Sequence, residues 1–177
     1  LPFLLRSLET EEEERGLIKA LTRTRSLRVR IRLEKKGNRD TFVNYWSSDN
    51  RHPQSRPLLR SLISNGGVEE VDLGHLLPPH PRKHLFMFPT FQDGQEGRYP
   101  DSLWMAFNFF EFLPREVSRG KEALETRLNS EYDRVTTAPG FGDLILFRNR
   151  ESNRILQGGN YIAEDIIYTK FDGSTLS

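Results

Sequence analysis

Ser102 is the residue best placed to do chemistry. It follows Pro100-Asp101 and opens a run, Leu103-Trp104-Met105-Ala106-Phe107, that reads as a buried helix. A hydroxyl or thiol at such a position sits against unpaired N–H groups and the positive end of a helix dipole, which favour an oxyanion or a thiolate. A serine nucleophile also needs a base within hydrogen-bond reach. The four histidines, His52, His75, His80 and His84, all precede it in the chain, and nothing in the sequence singles one out. Ser102 can also be read as a plain helix N-cap, a frequent role for serine. His80 and His84 have i,i+4 spacing, but Pro81 stands between them and no third ligand is evident, so no metal site is expected. No cofactor is expected either.

Three separated strings carry a resemblance. They are Asp101-Ser102-Leu103-Trp104, then Gly142-Asp143-Leu144-Ile145-Leu146-Phe147, then Gln157-Gly158-Gly159-Asn160-Tyr161-Ile162-Ala163-Glu164-Asp165. In order and spacing this half of the chain resembles the papain-like hydrolases of the NlpC/P60 type, which are cysteine peptidases and amidases. Residues 103–110, with Asn108-Phe109-Phe110, are also similar to bacterial proteins of this general type whose later strand reads Tyr-Ile-Ala-Asp-Asp. The resemblance implies a catalytic Cys after the Asp, a His four residues before the Tyr, and an orienting polar residue at the end of the next strand. Here those places hold Ser102, Gln157 and Thr169, and the chain has no Cys. Glutamine cannot take a proton at neutral pH, and a cooperative pair that has lost both members is not repaired by its surroundings.

The resemblance therefore implies a degenerate hydrolase domain, inactive as it stands, with a peptide or amide ligand and bacterial cell-wall peptides as first guess. It implies that Ser102→Cys with Gln157→His would regain some reactivity, and that the helix N–H groups would keep a residual oxyanion site. By resemblance alone the compartment would be extracytoplasmic in a bacterium. Two alternatives stand beside it. One is a non-catalytic peptide- or partner-binding module. The other is a serine hydrolase pairing Ser102 with a histidine from the N-terminal half.

Bulk composition narrows the classes. The 177 residues suffice for one domain with an extension. Plentiful aromatics, 12 Phe and 5 Tyr, argue against disorder. A formal charge of +1, from 26 basic and 25 acidic residues, argues against a nucleic-acid partner. Arg28, Arg30 and Arg32 read as a solvated strand face, the charge protecting an edge. No run approaches the ~18 apolar residues of a membrane span. Beginning at Leu1 without Met, the sequence reads as a processed or partial chain, so a missing signal peptide says little about location.

The elements that must position the site follow from periodicity. Thr10 and Glu13 have capping-box spacing and predict a helix over 10–22. Alternation over 27–33 predicts a strand, with 41–46 returning as the second strand of a hairpin. Residues 57–64 predict a short helix with Pro at its start; 68–77 fit a strand, a helical turn or both. Pro78-Pro79-His80-Pro81 is rigid punctuation, 85–88 a short strand, and 90–100 a polar loop. A buried helix over 102–112, a second over 118–131, and strands over 143–148, 160–163 and 165–169 complete the chain. Trp104, Phe107 and Phe110 are expected in the core. Asp143 is expected to satisfy N–H groups at a turn. The expected class is α+β: an N-terminal α/β extension over 1–85, and over 86–177 a papain-like, NlpC/P60-like core of a buried helix packed on a small antiparallel sheet.

Overall fold

The computed structural model describes residues 29–33, 39–48, 51–64, 70–84, 101–118 and 120–170, together with Thr10, Glu12, Glu13 and Gly16. It mixes helices with two small antiparallel sheets, an α+β arrangement, and divides into two compact units, residues 10–86 and a unit built on 87–177. The expected strand over 85–88 and loop over 90–100 lie outside the described residues, apart from the two units' bounds. No helix among the described residues is long and apolar enough to cross a membrane.

In the first unit the capping box forms. Glu13 N–H donates to Thr10 Oγ1 at 3.2 Å and Thr10 N–H donates to Glu13 Oε2 at 3.1 Å. Glu12, Glu13 and Gly16 are helical; the rest of 10–22, apart from Thr10, lies outside the described residues. Strand β1 (Arg30–Arg32) is present, but its partner is not the segment expected. Residues Arg39–Trp46 form helix α1, which corrects the hairpin. Phe42, Val43, Tyr45 and Trp46 have β-favouring side chains, yet the buried pair, Val43 and Trp46, lies at i,i+3, and Phe42 meets Trp46 at i,i+4 with ring centroids 6.3 Å apart. Tertiary burial of one helical face overrides strand propensity. Helix α2 (Arg56–Ser64) buries Leu59 and Ile63, also at i,i+4. The partner of β1 is β2 (Glu70–Asp72), with Ile31 opposite Val71. Helix α3 (Leu73–Leu76) follows at once, its cap Asp72 accepting from Gly74 N–H at 2.8 Å, so 68–77 is both strand and turn of helix. Helix α4 (Pro79–His84) occupies the proline-rich punctuation. Arg30 and Arg32 lie on the surface, 3.6 and 3.5 Å from Glu70.

The second unit carries the site. Helix α5 (Ser102–Phe107) and helix α6 (Lys121–Glu131) accompany a meander of β3 (Leu144–Arg148), β4 (Ile155–Ala163) and β5 (Ile166–Tyr168). Leu103, Phe107 and Leu124 are its buried centre, and Leu128, Leu144, Leu146 and Ile155 pack on them. A second cluster sets Phe109 edge-on to Phe141 and Tyr168, at 5.7 and 5.4 Å. Glu164, with φ 47, makes the tight turn into β5. Asp143 accepts from Gly140 N–H at 2.7 Å, the turn role expected of it. Phe110 departs from expectation: it is 51 % exposed, its ring lying over Gly142.

Candidate functional site

Asp101, not Ser102, caps α5. Its carboxylate accepts from Trp104 N–H at 2.7 Å, which leaves Ser102 as the first residue inside the helix. The plain N-cap reading of Ser102 is therefore corrected, because the preceding carboxylate is the better-placed acceptor. One of the N–H groups that a residual oxyanion site would use is also already taken. The helix is shorter than expected because Asn108, fully buried, ends it. The Asn108 amide donates to Trp104 O at 2.9 Å and Arg115 O at 3.0 Å, while its Oδ1 accepts from Arg115 N–H at 2.7 Å. The chain is thereby tied back on itself between 108 and 115.

The sheet has two faces, and the face each residue takes decides the chemistry. Leu146 lies opposite Gly158 and Leu144 opposite Asn160. Leu144 and Leu146 pack on the cluster of Leu103 and Phe107 from α5 with Leu124 from α6. A Cβ on Gly158 would meet Ala106 and Leu103 of the same helix at 3.1 Å. The Asn160 amide donates to Ala106 O at 3.1 Å. Positions 144, 146, 158 and 160 thus face α5, and by the period-two alternation of a strand Gln157 projects from the opposite face. Its Nε2 donates there to Thr169 Oγ1 at 3.2 Å and to Lys170 O at 3.5 Å. Thr169 Oγ1 in turn donates to Gly158 O at 2.7 Å.

Gln157 and Thr169 are therefore together, twelve positions apart in the chain, and Ser102 is next to them only through the backbone. Gly158 N–H donates to Ser102 Oγ across 3.4 Å, a long bond. The side chains of Ser102 and Gln157 make no hydrogen bond with each other. Ser102 is 1 % exposed. The four histidines all fall within residues 10–86, in the other unit.

A cleft of about 670 Å³ opens on the α5 side of the sheet, lined by Ser102, Leu103, Lys121, Leu124, Arg154 and Leu156 among others. The β4 pairing explains part of its wall. Phe147 lies opposite Gln157 but Arg148 lies opposite Ile155, so Leu156 is the extra residue of a β-bulge. The bulge sets two consecutive apolar side chains, Ile155 and Leu156, along the cleft. On the neighbouring wall Glu125 accepts from Arg148 Nη1 at 2.7 Å, and this hydrogen bond holds its carboxyl below the ordinary range. Among the described residues no three His, Asp or Glu side chains gather as metal ligands would.

Sequence reasoning missed Asn108, Gly158, Lys121 and Arg154. Asn108 had a signal: it is the one polar side chain in the otherwise apolar run 103–110. The face taken by Gly158 had none short of the register. Compared with protein-family models, curated proteins and solved structures, the chain finds no match.

Proposed function

We propose that the second unit is a non-hydrolytic ligand-binding domain descended from papain-like hydrolases of the NlpC/P60 type, whose cleft holds a peptide or amide without turning it over. Cell-wall-type peptides are the first class of ligand to try. Support for the lineage is the ordered set of landmarks in the sequence, a buried helix beginning at position 102 against an antiparallel meander, and a Gln157–Thr169 hydrogen bond across the expected twelve-residue spacing.

The observation that carries the absence of turnover is the state of Ser102. Its hydroxyl is buried and accepts a backbone N–H, and the side chain at the base position is engaged with Thr169 on the other face. The facing of Gln157 away from Ser102 counts against the papain-like lineage, in which the two positions are expected to converge. The serine-hydrolase alternative has the burial of Ser102 against it. A fluorophosphonate tests this: the intact protein stays unlabelled at Ser102, and labelling abolished by Ser102→Ala would sink the reading.

A further inference from the structure

The cleft beside α5 is lined by two carboxylates and two cations. Two carboxylates line it, and both are engaged: Asp101 accepts from Trp104 N–H and Glu125 from Arg148. The two cations that line it, Lys121 and Arg154, make no close ion pair among the described residues, and Lys121 acts on Glu125 through its field, helping to hold that carboxyl low. The apolar side chains Leu103, Leu124, Ile155 and Leu156, the last 55 % exposed, line the same cleft. A lone apolar side chain at a surface is ordinary; an apolar wall that shares a cleft with two cations outside any close ion pair matches a ligand with one anionic end and one apolar end.

From this we infer that the cleft takes the C-terminal residue of a peptide with a free carboxylate and an apolar last side chain, the carboxylate at Lys121 and Arg154 and the side chain against Leu124 and Leu156. The inference rests on the ligand-binding reading above and names the ligand class for the same cleft. Arginine offers a planar fork that matches a carboxylate in two hydrogen bonds, while lysine supplies a point charge on a flexible stem. The volume of about 670 Å³ suits one or two residues of a peptide, not a long segment. The apolar wall depends on the bulge at Leu156, which keeps that side chain and Ile155 on one side of the sheet.

The test uses the whole chain and acetyl-Gly-Leu as the free acid and as the C-terminal amide, titrated by calorimetry and by amide-shift mapping. The acid binds about tenfold more tightly than the amide, and Lys121→Ala and Arg154→Ala each weaken the acid by about threefold while leaving the amide unchanged, as for exposed charge pairs. Leu156→Ser weakens acid and amide alike. Equal affinity of acid and amide, no binding of either, or shifts confined to residues away from Lys121, Leu124 and Arg154 would each overturn the inference. None of these results bears on turnover, which the fluorophosphonate reads separately.

Discussion

Replacing Gly158 by alanine asks which face of β4 looks at α5. A Cβ at Gly158 would lie 3.1 Å from Ala106 Cβ, 3.1 Å from Leu103 Cδ2 and 3.4 Å from Ser102 O. Both carbon contacts are tighter than normal packing, so α5 must shift outward by a few tenths of an ångström. Overpacking of this kind costs about 2 kcal/mol. Against it, alanine is better than glycine in a strand by about 0.7 kcal/mol. The net is a loss of about 1 kcal/mol, or a Tm lower by about 3 °C for a chain of this length. Urea denaturation followed by circular dichroism reads it, with thermal melts alongside. Leu103→Ala in the same background removes one of the two contacts, so the penalty shrinks and the double-mutant cycle shows coupling. Gly159→Ala serves as contrast. Its Cβ would meet Tyr168 O at 2.9 Å, a backbone atom that cannot turn aside, and the loss is larger. A Gly158→Ala protein as stable as the parent, with no coupling to Leu103, would refute the assignment of faces. Gln157 would then be free to look at Ser102, and the case against a working site would fall with it.

Other outcomes follow from the same geometry. Ser102→Cys with Gln157→His stays inert toward a thiol-directed acyl probe, because position 157 faces away; regained reactivity would restore the catalytic layout. Asn108→Ala removes three partly buried hydrogen bonds at about 1 kcal/mol each and lowers Tm by roughly 9 °C; a loss under about 1 kcal/mol by urea denaturation would contradict the clamp. His84 is 3 % exposed, and burial first, then His80 and Lys83, lowers its pKa. Its neutral form is favoured in the fold, so its contribution is present above the unfolded value of about 6.5 and is lost as pH falls from there toward the folded one. The acid limb of a stability–pH profile should therefore flatten in His84→Gln, and an unchanged limb would argue against that burial.

What the sequence disclosed was mostly local. The reciprocal Thr10–Glu13 cap, the helix with Pro57 in its first turn, the Asp143 turn and the three-strand meander all depend on residues close together in the chain. Segment 41–46 misled because aromatic and β-branched side chains favour strands in general, whereas burial of Val43 and Trp46 against a helical neighbour decided the outcome. Phe110 misled because apolar character does not say on which side of a clamped turn a ring will fall. Two local geometries were legible, the meeting of 157 with 169 and a helix opening at 102, while the pairing of 102 with 157 did not form. The facing of 157 was not legible, since period two alone leaves the choice of face open until β4 is registered against β3 and α5 is laid on one side.

The ring of Tyr168, packed edge-on to Phe109, gives the second unit an optical gauge of its own integrity. Burial raises its phenol pKa well above that of a tyrosine in water. Folding therefore favours the protonated ring, and this contribution, whole below the unfolded value of about 10, is surrendered as pH climbs toward the folded one. In an alkaline absorbance titration exposed tyrosines ionise on mixing, while Tyr168 waits for the sheet to open. The slow fraction of the phenolate signal would then count unfolded second units directly, without a label and without knowing the ligand.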